Sequence, residues 1–145
     1  MSTEHNKALI HQFFIQAEQR NFAAIMDLLA PNFVAHLGGA TSPLDRATFR
    51  QATETFHAAF ANERLIIEDQ VAEGERVATW WICTATHTGE LQDLPPTGRP
   101  VRFTGINLDR IVNDRIAEHR TMFDQMGLLQ QLGMMPDRSI GDSAD

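Results

Sequence analysis

The chain has 145 residues with 19 acidic and 12 basic side chains, a net charge of −7 and no basic cluster, which argues against nucleic acid or an anionic membrane as partner. That length fits one domain, able to remove roughly 68 to 70% of its unfolded surface from water. A lone cysteine, Cys83, excludes an internal disulfide, and neither a charged leader with an apolar core nor about 18 consecutive apolar residues occurs, so a soluble cytoplasmic protein with small or neutral partners is expected.

Ser2 or Thr3 is placed to cap a first helix, whose stripe of Ala8, Leu9 and Phe13 is widened by Phe14 and Ala17 and which ends near Arg20-Asn21. Asn21 caps a shorter second helix with Ile25, Leu28 and Leu29 on one side, stopped by Pro31. Residues 32–37 read as a short strand ending at His36, before a Gly38-Gly39 loop. Asp45 caps a third helix in which Phe49, Ala52, Phe56 and Phe60 recur at helical spacing. From Arg64 the period changes to two, and Glu73-Gly74-Glu75 turns the chain into a second strand holding Trp80 and Trp81, which must face opposite ways. Leu94-Pro95-Pro96-Thr97-Gly98 is a loop, because its prolines have no N–H to give a ladder.

Val101 to Val112 and Arg115 to Asp124 alternate around Asn113-Asp114, which predicts a long hairpin with a two-residue turn. An unbroken register from Val112 opposite Arg115 sets Asp109 against Glu118, Asn107 against Arg120, Gly105 against Met122 and Phe103 against Asp124, all on one face. A brief helix closed by Gly133 follows, and the chain from Pro136 on is polar and expected to be a disordered tail after a single domain over 1–135. Three helices followed by antiparallel strands predict an α+β fold with helices on one side of a bent sheet, a shape that can hold a cavity.

On that face Asp124, beside Phe103, Met122 and Phe123, is the candidate general acid/base; it equally suits the cap of the last helix. Arg120 and Asn107 are candidates to polarise a substrate oxygen, or else a cross-strand polar pair. His36 serves either the pocket mouth or its own loop. His119 falls on the opposite face, at a dimer interface, unless a bulge shifts the register. No metal spacing and no nucleotide-binding loop appears.

Several stretches taken together carry a family resemblance: Asn6-Lys7-Ala8-Leu9 with Phe13-Phe14, the run from Leu28 to His36, Thr86-His87-Thr88-Gly89-Glu90, Pro95-Pro96-Thr97-Gly98, Phe103-Thr104-Gly105, and Ile116-Ala117-Glu118-His119 leading to Phe123-Asp124 and Gly127 to Gly133. In this order they resemble the SnoaL-like polyketide and ester cyclases of the NTF2-like superfamily. The resemblance implies a cone-shaped barrel of mostly antiparallel sheet wrapped over three N-terminal helices. A hydrophobic pocket and a homodimer formed through the outer sheet face are also implied. The implied activity is intramolecular aldol-type ring closure, or related isomerase or hydrolase chemistry, on a hydrophobic carbonyl ligand. It needs no cofactor and no metal, and Asp124 stands at the acid/base position. Arg120, Asn107, His36, Phe103, Met122, His87 and Phe14 are the expected substrate contacts. A non-catalytic ligand-binding or dimerisation domain is the alternative within the same superfamily.

Overall fold

The computed structural model describes residues 2–134. Helices α1 (Thr3–Glu18) and α2 (Phe22–Asp27) precede strand β1 (Leu29–Leu37); α3 (Arg46–Ala58) then leads into β2 (Phe60–Glu73), β3 (Arg76–His87), β4 (Pro100–Val112), β5 (Arg115–Phe123) and a last helix α4 (Gln125–Gln131). Each helix starts where a short polar side chain accepts a backbone N–H that the first turn leaves unpaired: Ser2 from His5, Asn21 from Ala24, Asp45 from Thr48 and Asp124 from Gly127. The second helix ends at Asp27, before Pro31, and Leu29 already belongs to β1. Proline is tolerated there because β1 is an edge strand. The expected tail from Pro136 lies outside the described residues.

The strands form one sheet in the order β1-β5-β4-β3-β2, parallel between β1 and β5 and antiparallel elsewhere. This α+β sheet curves over the helices as an open cone, with β1 and β2 as its free edges. α1 lies against β2 and β3, and α3 against β1 and β2. The concave face and these helices enclose a core that includes Ile10, Phe14, Phe33, Phe60, Phe103 and Ile116. No helix among the described residues is long and apolar enough to cross a membrane.

The hairpin turns at Asn113 and Asp114, both with positive φ (51° and 62°), the backbone that a two-residue hairpin needs to match strand twist. Val112 pairs with Arg115 and Ile111 with Ile116, but there the unbroken register fails. Ala117 is an extra residue, so Arg110 faces Glu118, Asp109 faces His119, Leu108 faces Arg120, Asn107 faces Thr121 and Gly105 faces Phe123. Electrostatics favours this. The unbroken ladder sets Asp109 against Glu118, two like charges, whereas the bulge gives each an opposite or neutralising partner. Everything beyond Ala117 on β5 therefore changes face: His119, Thr121 and Phe123 turn inward, and Glu118, Arg120 and Met122 turn outward.

Trp81 and Trp80 do point opposite ways. Trp81 is buried on the concave side, while Trp80 is more than half exposed and donates to the Thr104 hydroxyl at 2.6 Å. The Trp81 ring lies over Gly105, where an added Cβ would sit 2.3 Å from its Cζ2 atom. Gly105→Ala should therefore lower stability by about 1–3 kcal/mol through overpacking, read as a fall in melting temperature together with a shift in tryptophan emission.

Candidate functional site

A cavity of about 270 Å³ opens between the concave face of the sheet and helices α1 and α3. Phe13, Phe14, Phe49, Phe56, Trp81 and Phe103 supply much of its wall. The polar groups on that wall are few, and apart from Thr53 they fall into two sets. The first is built on β4 and β5. His119 Nδ1 donates to Asp109 Oδ1 at 2.6 Å, both side chains are buried, and the imidazole is boxed by Phe13, Phe49 and Phe33 at ring distances of 5.6, 5.4 and 6.5 Å. With its Nδ1 proton held by the carboxylate, the imidazole presents Nε2 as an acceptor. Asp109 Oδ2 is buried with no protein partner, a desolvation cost that folding must offset.

Asn107 lies one inward-facing position from Asp109 on β4, opposite Thr121, and all but Asp109 of this group line the cavity. The indole N–H of Trp81 donates to Asn107 Oδ1 at 2.9 Å. Since an indole N–H can only donate, that bond fixes the orientation of the amide and leaves Nδ2 as a donor. An acceptor nitrogen and a donor amide thus stand on neighbouring rungs of the ladder, among aromatic rings.

The second set lies toward β2. His57, in the last turn of α3, shares a 2.6 Å bond between Nδ1 and Glu63 Oε1, and Cys83 Sγ lies 3.8 Å from Glu63 Oε2. All three line the cavity. Burial, and then the Glu63 charge, push the Cys83 thiol far above its ordinary value.

Of the residues expected from the sequence, the structure brings Asn107, Phe103 and Phe14 to the cavity. It places the others elsewhere. Asp124 is exposed, and its Oδ1 accepts from the Gly127 backbone N–H at 2.9 Å as the cap of α4; the bulge has carried it off the rung opposite Phe103, and its own N–H pairs with the Thr104 carbonyl. Arg120 and Met122 are exposed on the convex face for the same reason, Arg120 reaching Glu118 at 3.4 Å. His36 also turns to Glu118, with its Nε2 3.6 Å from Oε2. His87 is wholly buried, and its Nδ1 accepts from the Thr97 N–H at 3.1 Å, pinning the proline loop to β3. The sequence reading missed Asp109, His57 and Glu63, and gave His119 the cavity only in the event of a bulge. The signal for the bulge was present in the like charges that the unbroken register sets face to face.

The SnoaL-like polyketide cyclase profile matches residues 8–132. The chain belongs to that family. It is 36% identical over 110 residues to the nogalonic acid methyl ester cyclase of Streptomyces nogalater, covering 74% of this chain and 78% of the relative. It is 32% identical over 111 residues to the aklanonic acid methyl ester cyclase DnrD of Streptomyces peucetius, covering 74% and 73%. Among solved structures, AclR of Streptomyces galilaeus, a candidate hydroxylase, superposes with a TM-score of 0.88 at 27% identity over 95% of this chain and 91% of its own. A fold shared by cyclases and a candidate hydroxylase does not choose the chemistry; the side chains in the cavity must.

Two expectations test this geometry. Asp124→Ala should cost about 1 kcal/mol as a lost cap, and Asp124→Asn should cost less, because an amide oxygen still accepts from Gly127; denaturant melts of the pair check both. Because the raised thiol holds little thiolate, Cys83 should resist iodoacetamide at about pH 8 in the folded protein and label promptly in denaturant, as mass spectrometry would show.

Proposed function

We propose that this SnoaL-like chain is a cyclase that closes a ring in a hydrophobic carbonyl substrate by intramolecular aldol addition, with His119 as acid/base and Asp109 as the aspartate behind it. The observation that carries the reading is the 2.6 Å Asp109–His119 bond in the cavity wall, one rung from the amide of Asn107. His119 Nε2 removes a proton from the carbon beside a carbonyl, and Asn107 Nδ2 donates to the enolate oxygen as charge gathers there. The enolate carbon attacks a second carbonyl carbon of the same molecule. One carbon–carbon bond forms, the second C=O π bond becomes an alkoxide, and that alkoxide takes the proton back from the imidazolium. No atom is gained or lost, so the step needs no oxidant and no cofactor. Asp109 touches no reacting atom; it holds the imidazole tautomer and stabilises the imidazolium.

In this reading the enzyme acts as a cytoplasmic homodimer. The convex face supports that part: Trp80, Ile106 and Met122 form one cross-strand row, each more than half exposed, with Leu108 beside them. Ala117 and Phe123 take no part in this row, since Ala117 is buried and Phe123 lines the cavity.

Nogalonic acid methyl ester, named for the relative, is the first substrate to test. His119→Gln should lower turnover by about 10²–10⁴, the usual worth of a positioned acid/base. Asp109→Asn should lower kcat more than it raises KM and displace the pH–rate profile, which a purely structural aspartate would not do. Wild-type turnover in His119→Gln would remove the histidine from the mechanism. Sedimentation at micromolar concentration should give a dimer for the wild type and a monomer for Ile106→Asp; a wild-type monomer would end the dimer assignment.

A further inference from the structure

The aldol step uses one of the two polar sets in the cavity and leaves the other without a task. Glu63 is a carboxylate whose side chain is only 2% exposed, and its partners are the His57 imidazole and, at 3.8 Å, a thiol, which is a weak donor. Placing a carboxylate there is costly unless its hydrogen bonds do more than hold the fold together. A link between α3 and β2 would be served equally by backbone amides. What this pair adds is orientation. With Nδ1–H donated to Glu63, the His57 ring is fixed and Nε2 is left as an acceptor on a ring that lines the cavity.

The two sets stand apart along the sheet. Asn107, the cavity-lining amide of the first, is opposite Thr79 on β3, while Cys83, which reaches Glu63, is four positions further along that strand, about 13 Å of backbone. Aromatic rings lie between them: Trp81, Phe103, Phe56 and Phe123 make edge or tilted contacts at centroid distances of 5.6 to 6.2 Å. Such a wall suits a flat, apolar body and offers it few polar contacts until the far end is reached. Resting on the cyclase reading above, we propose that the His57–Glu63 pair is a recognition subsite for a hydroxyl at the distal end of an elongated fused-ring substrate whose reacting end lies at His119. The hydroxyl donates to His57 Nε2, and Glu63 fixes the ring that accepts it. Glu63 is thus a positioning residue, and His57 touches the ligand. A site built to pair a hydroxyl discriminates strongly against the analogue that lacks one, because its own acceptor is then left dry and unpaired.

Anthraquinone and 2-hydroxyanthraquinone are suitable probes, and quenching of Trp81 in the cavity wall reads their binding. The wild type should bind the hydroxylated probe about tenfold tighter or more. His57→Phe keeps a ring and removes the acceptor, and Glu63→Leu removes the oxygen that fixes the ring, so that one folded variant suffices if the other fails. Each should bring the preference to less than about twofold, while His119→Gln should keep it. A preference that survives in His57→Phe or Glu63→Leu overturns the proposal, as does one that disappears only in His119→Gln or is absent from a wild type that binds both probes. If the wild type binds neither, the substrate cavity itself is refuted, and the subsite falls with the cyclase reading. Loss of nogalonic acid methyl ester turnover in His119→Gln, with the hydroxyl preference still present, is the result that supports both.

Discussion

The pairing of charges across β4 and β5 is the constraint on which the site depends. Two carboxylates held about 5 Å apart at an effective dielectric near 20 repel by about 3 kcal/mol, and that is what the unbroken register would impose on Asp109 and Glu118. Inserting Ala117 costs about one ladder hydrogen bond, about 1 kcal/mol net. The bulge therefore wins. It hands Glu118 to Arg110 on the wet side and Asp109 to His119 on the dry side. The Asp109–His119 pair is thus a by-product of the same rearrangement that relieves the repulsion, and it is locked from the other flank by β1, where Ala35 sits beside His119.

Once the register is set, a second arrangement follows from a missing side chain. The Trp81 indole can lie against β4 only because Gly105 has no Cβ, and from that position its N–H reaches Asn107. The amide is then oriented without any contribution from a ligand. In a water-poor setting a pre-oriented donor needs little reorganisation when charge appears, which is the condition for stabilising an enolate. Glycine, tryptophan and asparagine, on two strands and two rungs, act as one part.

Much of this fold was legible in the sequence because its signals are local. The caps Ser2, Asn21, Asp45 and Asp124, the turn at Asn113-Asp114 and the proline loop each depend on a few neighbouring residues, and the structure contains each of them. The candidate site was less legible because facing is a long-range property. One inserted residue reversed Arg120, Met122 and Asp124 together, since every side chain beyond a slip changes face. Glu63 was hidden for a related reason. It lies in the irregular opening of β2, where Asn62 takes a positive φ of 55° and the pairing with β3 skips from Ala61 to Arg64, so the alternation that would reveal its direction is broken there. His36 and His87 had suitable chemistry, and the Glu118 carboxylate and a loop claimed them.

The surroundings of His119 explain why its partner must be a buried carboxylate. Phe13, Phe33 and Phe49 exclude water from the ring, so an imidazolium formed there has no solvent to stabilise it and a neutral ring has no solvent to fix its tautomer. Asp109 meets both needs through one bond. Its second oxygen remains unpaired in the protein, which means the chain carries a desolvation cost that a leucine at the same position would avoid. Stability alone gives no reason to keep such a group. The cost falls on a pair whose histidine lines the cavity, and that marks the pair as a candidate site rather than as packing of the resting fold.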